Sequence, residues 1–102
     1  MPTLEEALLE LGYDYPTDAI RKIVARDLAA AVATLHGAVG EDVDTLMPDD
    51  PRAYSLVIDY LHDLHDNKGV SAKVSGATRR TVADRELQLR LELRTKREEA
   101  RA

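Results

Sequence analysis

One stretch limits the fold of this chain more than any other. From Asp18 to about His36, the residues Ile20, Ile23, Val24, Leu28, Ala31 and Leu35 recur at steps of three and four. That spacing places them on one face of an α-helix. No proline interrupts the run, and Thr17 is positioned to cap its start. Its inner "LAAAVA", residues 28–33, makes the helix apolar nearly all round. A helix of that character sits at the centre of a bundle or between subunits. The remainder of the chain must supply helices to cover it.

Two further segments read that way. "TLEEALLELG", residues 3–12, opens with a capping box. Thr3 accepts from a first-turn amide while Glu6 reaches back to the Thr3 amide. Leu4, Ala7, Leu8 and Leu11 then share a face, and Gly12 suits a left-handed helix end. "YDYPT", residues 13–17, is a turn, because Pro16 drives Tyr15 toward extended geometry. Further on, Asp50 caps a helix with Pro51 at its first position, where the missing N–H costs nothing. Ala53, Tyr54, Val57, Tyr60, Leu61 and Leu64 form its buried stripe, and Asn67, Lys68 and Gly69 end it. The predicted core is Ile23, Val24, Leu28, Leu35, Val57, Tyr60, Leu61 and Leu64.

The connection "GAVGEDVDTLMPDD", residues 37–50, is too long for a simple helix–helix turn. Leu46 and Met47 are expected to tuck onto the core. A long acidic loop is expected to be mobile and to lie at a functional face. Glu41, Asp42 and Asp44 are its candidate contact residues.

The expected architecture is all-α: a small bundle of three core helices plus a C-terminal helix or tail. The chain has 102 residues, enough for one small domain with a thin core. Its aromatic residues amount to 4%, all tyrosine, so Leu, Val, Ile and Ala must build that core. Residues 1–70 read as the core unit. The small, polar "VSAKVSGAT", residues 70–78, reads as a linker, and 71–102 as a basic linker and assembly segment. On this division, a chain cut after Arg80 is expected to stay folded.

Several function classes find no footing. With no cysteine, disulfides, thiolate metal sites and cysteine nucleophiles are excluded. No signal-like apolar run opens the chain, and the longest uncharged stretch, 28–40, is too short to span a membrane. A soluble cytosolic or virion-borne protein is expected. His62 and His65 share a helix face near Asp59, Asp63 and Asp66, yet nothing supplies the rest of a metal site, so both read as surface histidines. Asp49 and Asp50 read as capping residues, not a catalytic pair. No phosphate loop and no activated-serine context is present. The expectation is no enzyme, no cofactor and no metal.

The charge is split. Residues 1–70 carry 14 acids and 5 bases, and residues 71–102 carry 5 acids and 9 bases. The acidic body repels nucleic acid, whereas the basic end can meet nucleic acid or an acidic protein surface. Within that end lies "ELQLRLELR", residues 86–94, with leucine at every second position. Alternation is a strand pattern, although every residue type in it favours helix. On a helix, Leu87 and Leu91 take one side and Leu89 and Leu93 nearly the opposite one. On a strand all four face one way and dock on an acceptor edge. Either geometry suggests an assembly interface, with Arg90 and Arg94 orienting it. The segment is expected to be helical in the isolated protein.

Three features together resemble the small head–tail connector, or adaptor, family of tailed bacteriophages and prophages. They are the opening "TLEEALLELGYD", the alanine-rich "DAIRKIVARDLAAAVATLHG", and "DDPRAYSLVIDYLHDLHDNK", which closes on Asp66, Asn67 and Lys68. The resemblance covers about residues 3–68. His65 stands where an aromatic residue is common in the family, and Lys68 where arginine is common. The resemblance implies a helical protomer that forms a homo-oligomeric ring beneath the portal protein. Such a ring extends the DNA channel and docks the next connector or tail protein. DNA would pass through without specific binding, in keeping with an acidic body. The implied location is the virion head–tail junction, after assembly in the bacterial host cytoplasm. A different reading is a small dimeric regulatory or antitoxin-like protein whose basic tail contacts nucleic acid.

Overall fold

A computed structural model of the chain describes residues 1–66 and 76–101, with backbone alone at 66 and 76–80. The described residues form five helices and no strand: α1 (Leu4–Glu10), α2 (Asp18–Ala38), α3 (Val43–Leu46), α4 (Pro51–Asp66) and α5 (Gly76–Arg101). The all-α expectation holds.

Local sequence signals explain the starts of these helices. Thr3 and Glu6 make the reciprocal capping box at α1, with Glu6 N–H donating to Thr3 Oγ1 over 3.2 Å and Thr3 N–H to Glu6 Oε1 over 3.1 Å. Gly12 then takes φ +86°, the left-handed turn that detaches the chain from α1. Thr17 caps α2 by accepting from the Ile20 amide. Asp50 caps α4 by accepting from the Arg52 amide at 2.9 Å.

The packing places α2 against α4 as the central pair. α1 lies over both, and α5 runs across α4 and α3. Val24, Ala31 and Leu35 of α2 meet a core that includes Leu8, Leu56, Val57 and Leu61. The overall extents are 48 × 30 × 17 Å. The radius of gyration, 14.8 Å, exceeds the roughly 13 Å of a compact chain this long.

Several expectations need correction. Ile23 and Leu64 are 40% and 36% exposed, and Leu28 and Tyr60 only partly buried. On α2 the inward stripe runs through Val24, Asp27, Ala31 and Leu35, which turns Ile23 outward. In the last turns of α4 the inward positions are Leu61 and half-buried His65, leaving Leu64 at the edge. Leu56 and Ile58, absent from the predicted stripe, are buried because α4 is covered by α2 and by α5. α2 is central but not covered on every side, since the apolar Ala25, Ala29, Ala30 and Ala33 face solvent.

The C-terminal division changes most. The expected linker at 70–78 is helical from Gly76 onward, and the predicted helix end at Asn67, Lys68 and Gly69 lies outside the described residues. α5 is not an appendage to a finished core: Leu89 and Leu93 are fully buried in it. A boundary at residue 70 therefore cuts through one hydrophobic core.

Candidate interaction surface

α5 fixes its position through two leucines and a set of arginine contacts. Leu89 and Leu93, four residues apart, point down onto α4 and α3. Around them, Arg85 hydrogen-bonds to Asp59 and Ser55 on α4, and Tyr60 O–H donates to Glu86. Arg52 bridges Asp50 and Glu92, binding each through its guanidinium. Farther along, Arg97 donates from Nε and Nη2 to the two oxygens of Asp42. These contacts hold the Asp42, Asp50 and Glu92 carboxyls below the usual carboxylate range, chiefly through the arginine hydrogen bonds. Burial, and then the bond to Glu86, pushes the Tyr60 phenol upward.

The opposite side of α5 is uncovered. Leu87 and Leu91 are 48% and 53% exposed. Around them, Asp84, Arg90, Arg94 and Glu98 are all exposed. The four candidate leucines thus divide into two pairs, one inside the protein and one facing water. Of the candidate arginines, Arg94 meets Glu98 at 3.8 Å, with both side chains largely in solvent. An exposed pair of that length contributes little.

The acidic connection is tied to the rest of the fold by its own side chains. Val39, Val43 and Met47 are buried, and Leu46 packs at the core edge. Asp42 binds Arg97, and Asp44 accepts from His36 Nε2 at 2.7 Å, tying α3 back to the end of α2. Asp50 is held by Arg52. Of the three candidate contact residues, only Glu41 is fully outward. Gly40 makes the close approach possible. Its φ is +142°, and a Cβ there would strike the Arg97 guanidinium and crowd Leu93 and Asp42.

One cluster escaped the sequence reading. His65 is not a surface residue. Its Nδ1 lies 3.1 Å from Asp27 Oδ2, and its Nε2 lies 2.8 Å from the Tyr13 hydroxyl. With the proton on Nδ1 directed at the carboxylate, Nε2 accepts from Tyr13. The two rings meet edge to face. Asp27 is 4% exposed, on the inward stripe of α2 between Val24 and Ala31. A carboxylate at an apolar-stripe position was the available signal, because such a group is buried only with partners. The cluster pins the α1–α2 turn to both central helices.

Among the described residues, no group of three or more His, Asp and Glu side chains converges to hold a metal ion. No described helix is long and apolar enough to cross a membrane. Comparison with protein-family models, with curated proteins and with solved structures finds no match for the chain.

Proposed function

We propose that this chain is a structural assembly subunit, and specifically a head–tail connector that joins other copies in a ring under a phage portal. The observation that carries this reading is the two-sided leucine pattern of α5. One pair completes the subunit, while Leu87 and Leu91 remain as apolar area on an otherwise charged helix face. Water contact of that kind is relieved by a protein partner. The sequence resemblance over residues 3–68 supplies the particular partners: the portal protein on one side and the next connector or tail protein on the other. Exposed Glu41 takes the channel or subunit-contact role proposed for its loop, whereas Asp42 and Asp44 serve internal pairs. The alternative with a nucleic-acid-binding tail draws less support, because Arg85 and Arg97 are already engaged by carboxylates.

The test is co-sedimentation with the portal protein that this reading requires in the same genome. Leu87→Ser/Leu91→Ser should melt like the natural protein and lose docking. Raised salt should weaken docking of the intact chain, because Arg90 and Arg94 lie at the surface where charges are screened. Undiminished portal binding by the serine variant would remove the reading.

A further inference from the structure

The outer face of α5 carries a repeat. Asp84, Leu87, Leu91, Arg94 and Glu98 follow one another at steps of three, four, three and four residues. That is the spacing of a coiled-coil seam, whose positions face a partner helix. All five side chains are exposed, and they lie opposite the pair Leu89 and Leu93 that docks α5 on its own bundle. The seam therefore faces away from the helices on which α5 packs.

The charges on this seam decide which helix fits. In a parallel pairing of two α5 helices, each position meets itself. Asp84 would face Asp84, Arg94 would face Arg94, and Glu98 would face Glu98, all like on like. An antiparallel pairing about an axis level with Leu89 reverses the order. Asp84 then faces Arg94, Leu87 faces Leu91, and the two-fold axis repeats each contact. The result is two leucine layers closed at each end by an opposite-charge pair. We propose that the free protein forms a two-fold dimer through this face, with the α5 helices antiparallel and the Leu87–Leu91 layers at its centre. The exposed 3.8 Å contact to Glu98 does not prevent Arg94 from turning to the partner's Asp84.

Such a contact is isologous and closes at two copies. Its apolar centre is small, so association is expected to be weak and concentration-dependent. The dimer stands without the connector reading. If that reading also holds, self-pairing and portal docking use the same two leucines and exclude each other.

Sedimentation equilibrium of the full chain, from micromolar to millimolar concentration, reads the dimer without any portal. The mass should rise toward twice that of the monomer. Leu87→Ser/Leu91→Ser should remain monomeric while keeping its helical circular dichroism. Asp84→Arg and Arg94→Asp should each weaken association about tenfold, the equivalent of about 1.4 kcal/mol. The combined variant Asp84→Arg/Arg94→Asp should restore it, since the exchanged charges still face each other. Orientation is read by oxidative cross-linking, which is clean because the chain has no cysteine. A mixture of Asp84→Cys and Arg94→Cys chains should cross-link with each other and not with themselves. Along a helix those positions are about 15 Å apart, well beyond disulfide reach. A monomer at every concentration overturns the proposal, as does a dimer untouched by the serine changes or one in which Asp84→Cys cross-links to itself. Species larger than a dimer that the serine changes abolish also overturn the two-fold pairing, while leaving the connector reading intact.

Discussion

The two long helices both show apolar side chains to solvent, and they do it differently. α2 exposes Ala25, Ala29, Ala30 and Ala33. α5 exposes Leu87 and Leu91. An exposed alanine leaves little apolar area in water and favours the helix it belongs to. A half-exposed leucine leaves much more, and covering the remainder is worth roughly half of the 1.5–3 kcal/mol of a full burial. The alanine face therefore asks for no partner, whereas the leucine pair rewards one. The same contrast appears within α5, where one leucine pair is already covered.

The comparison breaks most sharply if α5 is removed. A chain ending at Arg80 loses Leu89, Leu93, Glu92 and Arg97 together, and it should unfold or collapse to a loose helical state by near-ultraviolet circular dichroism. A cooperative melt near that of the full chain would show that α5 is an appendage after all. Leu93→Ala alone should cost about 2–5 kcal/mol in urea denaturation, because a fully buried leucine leaves a cavity.

A smaller effect comes from Gly40→Ala. It combines a left-handed φ with a collision at Arg97, so it should cost more than about 1 kcal/mol. The loss should shrink in an Arg97→Ala background, where the guanidinium no longer blocks the methyl group.

Acid sharpens the picture further. Asp42, Asp50 and Glu92 have lowered folded-state pKa values, so folding is favoured while they are ionised. Their contribution is fully present above the ordinary carboxylate range and fades as pH falls through the folded-state values. Urea midpoints measured from neutral to acid pH should decline, and less steeply in Asp42→Asn, which has one fewer such group to protonate. Equal slopes would mean the Arg97 contact does not favour the folded state.

The smallest effect on folding is expected at the outer leucines. Leu87→Ser/Leu91→Ser should change stability by no more than about 0.5 kcal/mol per site, as exposed positions usually do. Ala29→Ser on the alanine face should change neither stability nor association. If it changes association, the distinction between the two faces fails.

Much of the fold was legible because its signals are local. Thr3 with Glu6, Thr17, and Asp50 before Pro51 each act within a few residues, and each caps the helix it was expected to cap. The split of the alternating leucines into two sides also follows from helix geometry alone. Which side turns inward does not, because Arg52–Glu92, Arg85–Asp59 and Arg97–Asp42 join residues far apart in the chain. For the same reason the acidic connection was expected to be loose. Asp42 looks free in sequence, and its partner Arg97 lies on α5 at the far end of the chain. The Asp27–His65–Tyr13 cluster was missed by treating His65 as part of its own helix face, when its partners come from α2 and the preceding turn.

The 17 Å thickness has a geometric consequence. Packed helix axes lie about 8–10 Å apart and the backbone of each helix is about 5 Å across, so the thin dimension holds two layers and no third. In a slab of that depth no helix can be enclosed on all sides. Broad faces must be finished in small residues, in charge, or in contact with another molecule. By this measure the polypeptide resembles a tile more than a ball, and the untrimmed edge of the tile is the Leu87–Leu91 side of its last helix.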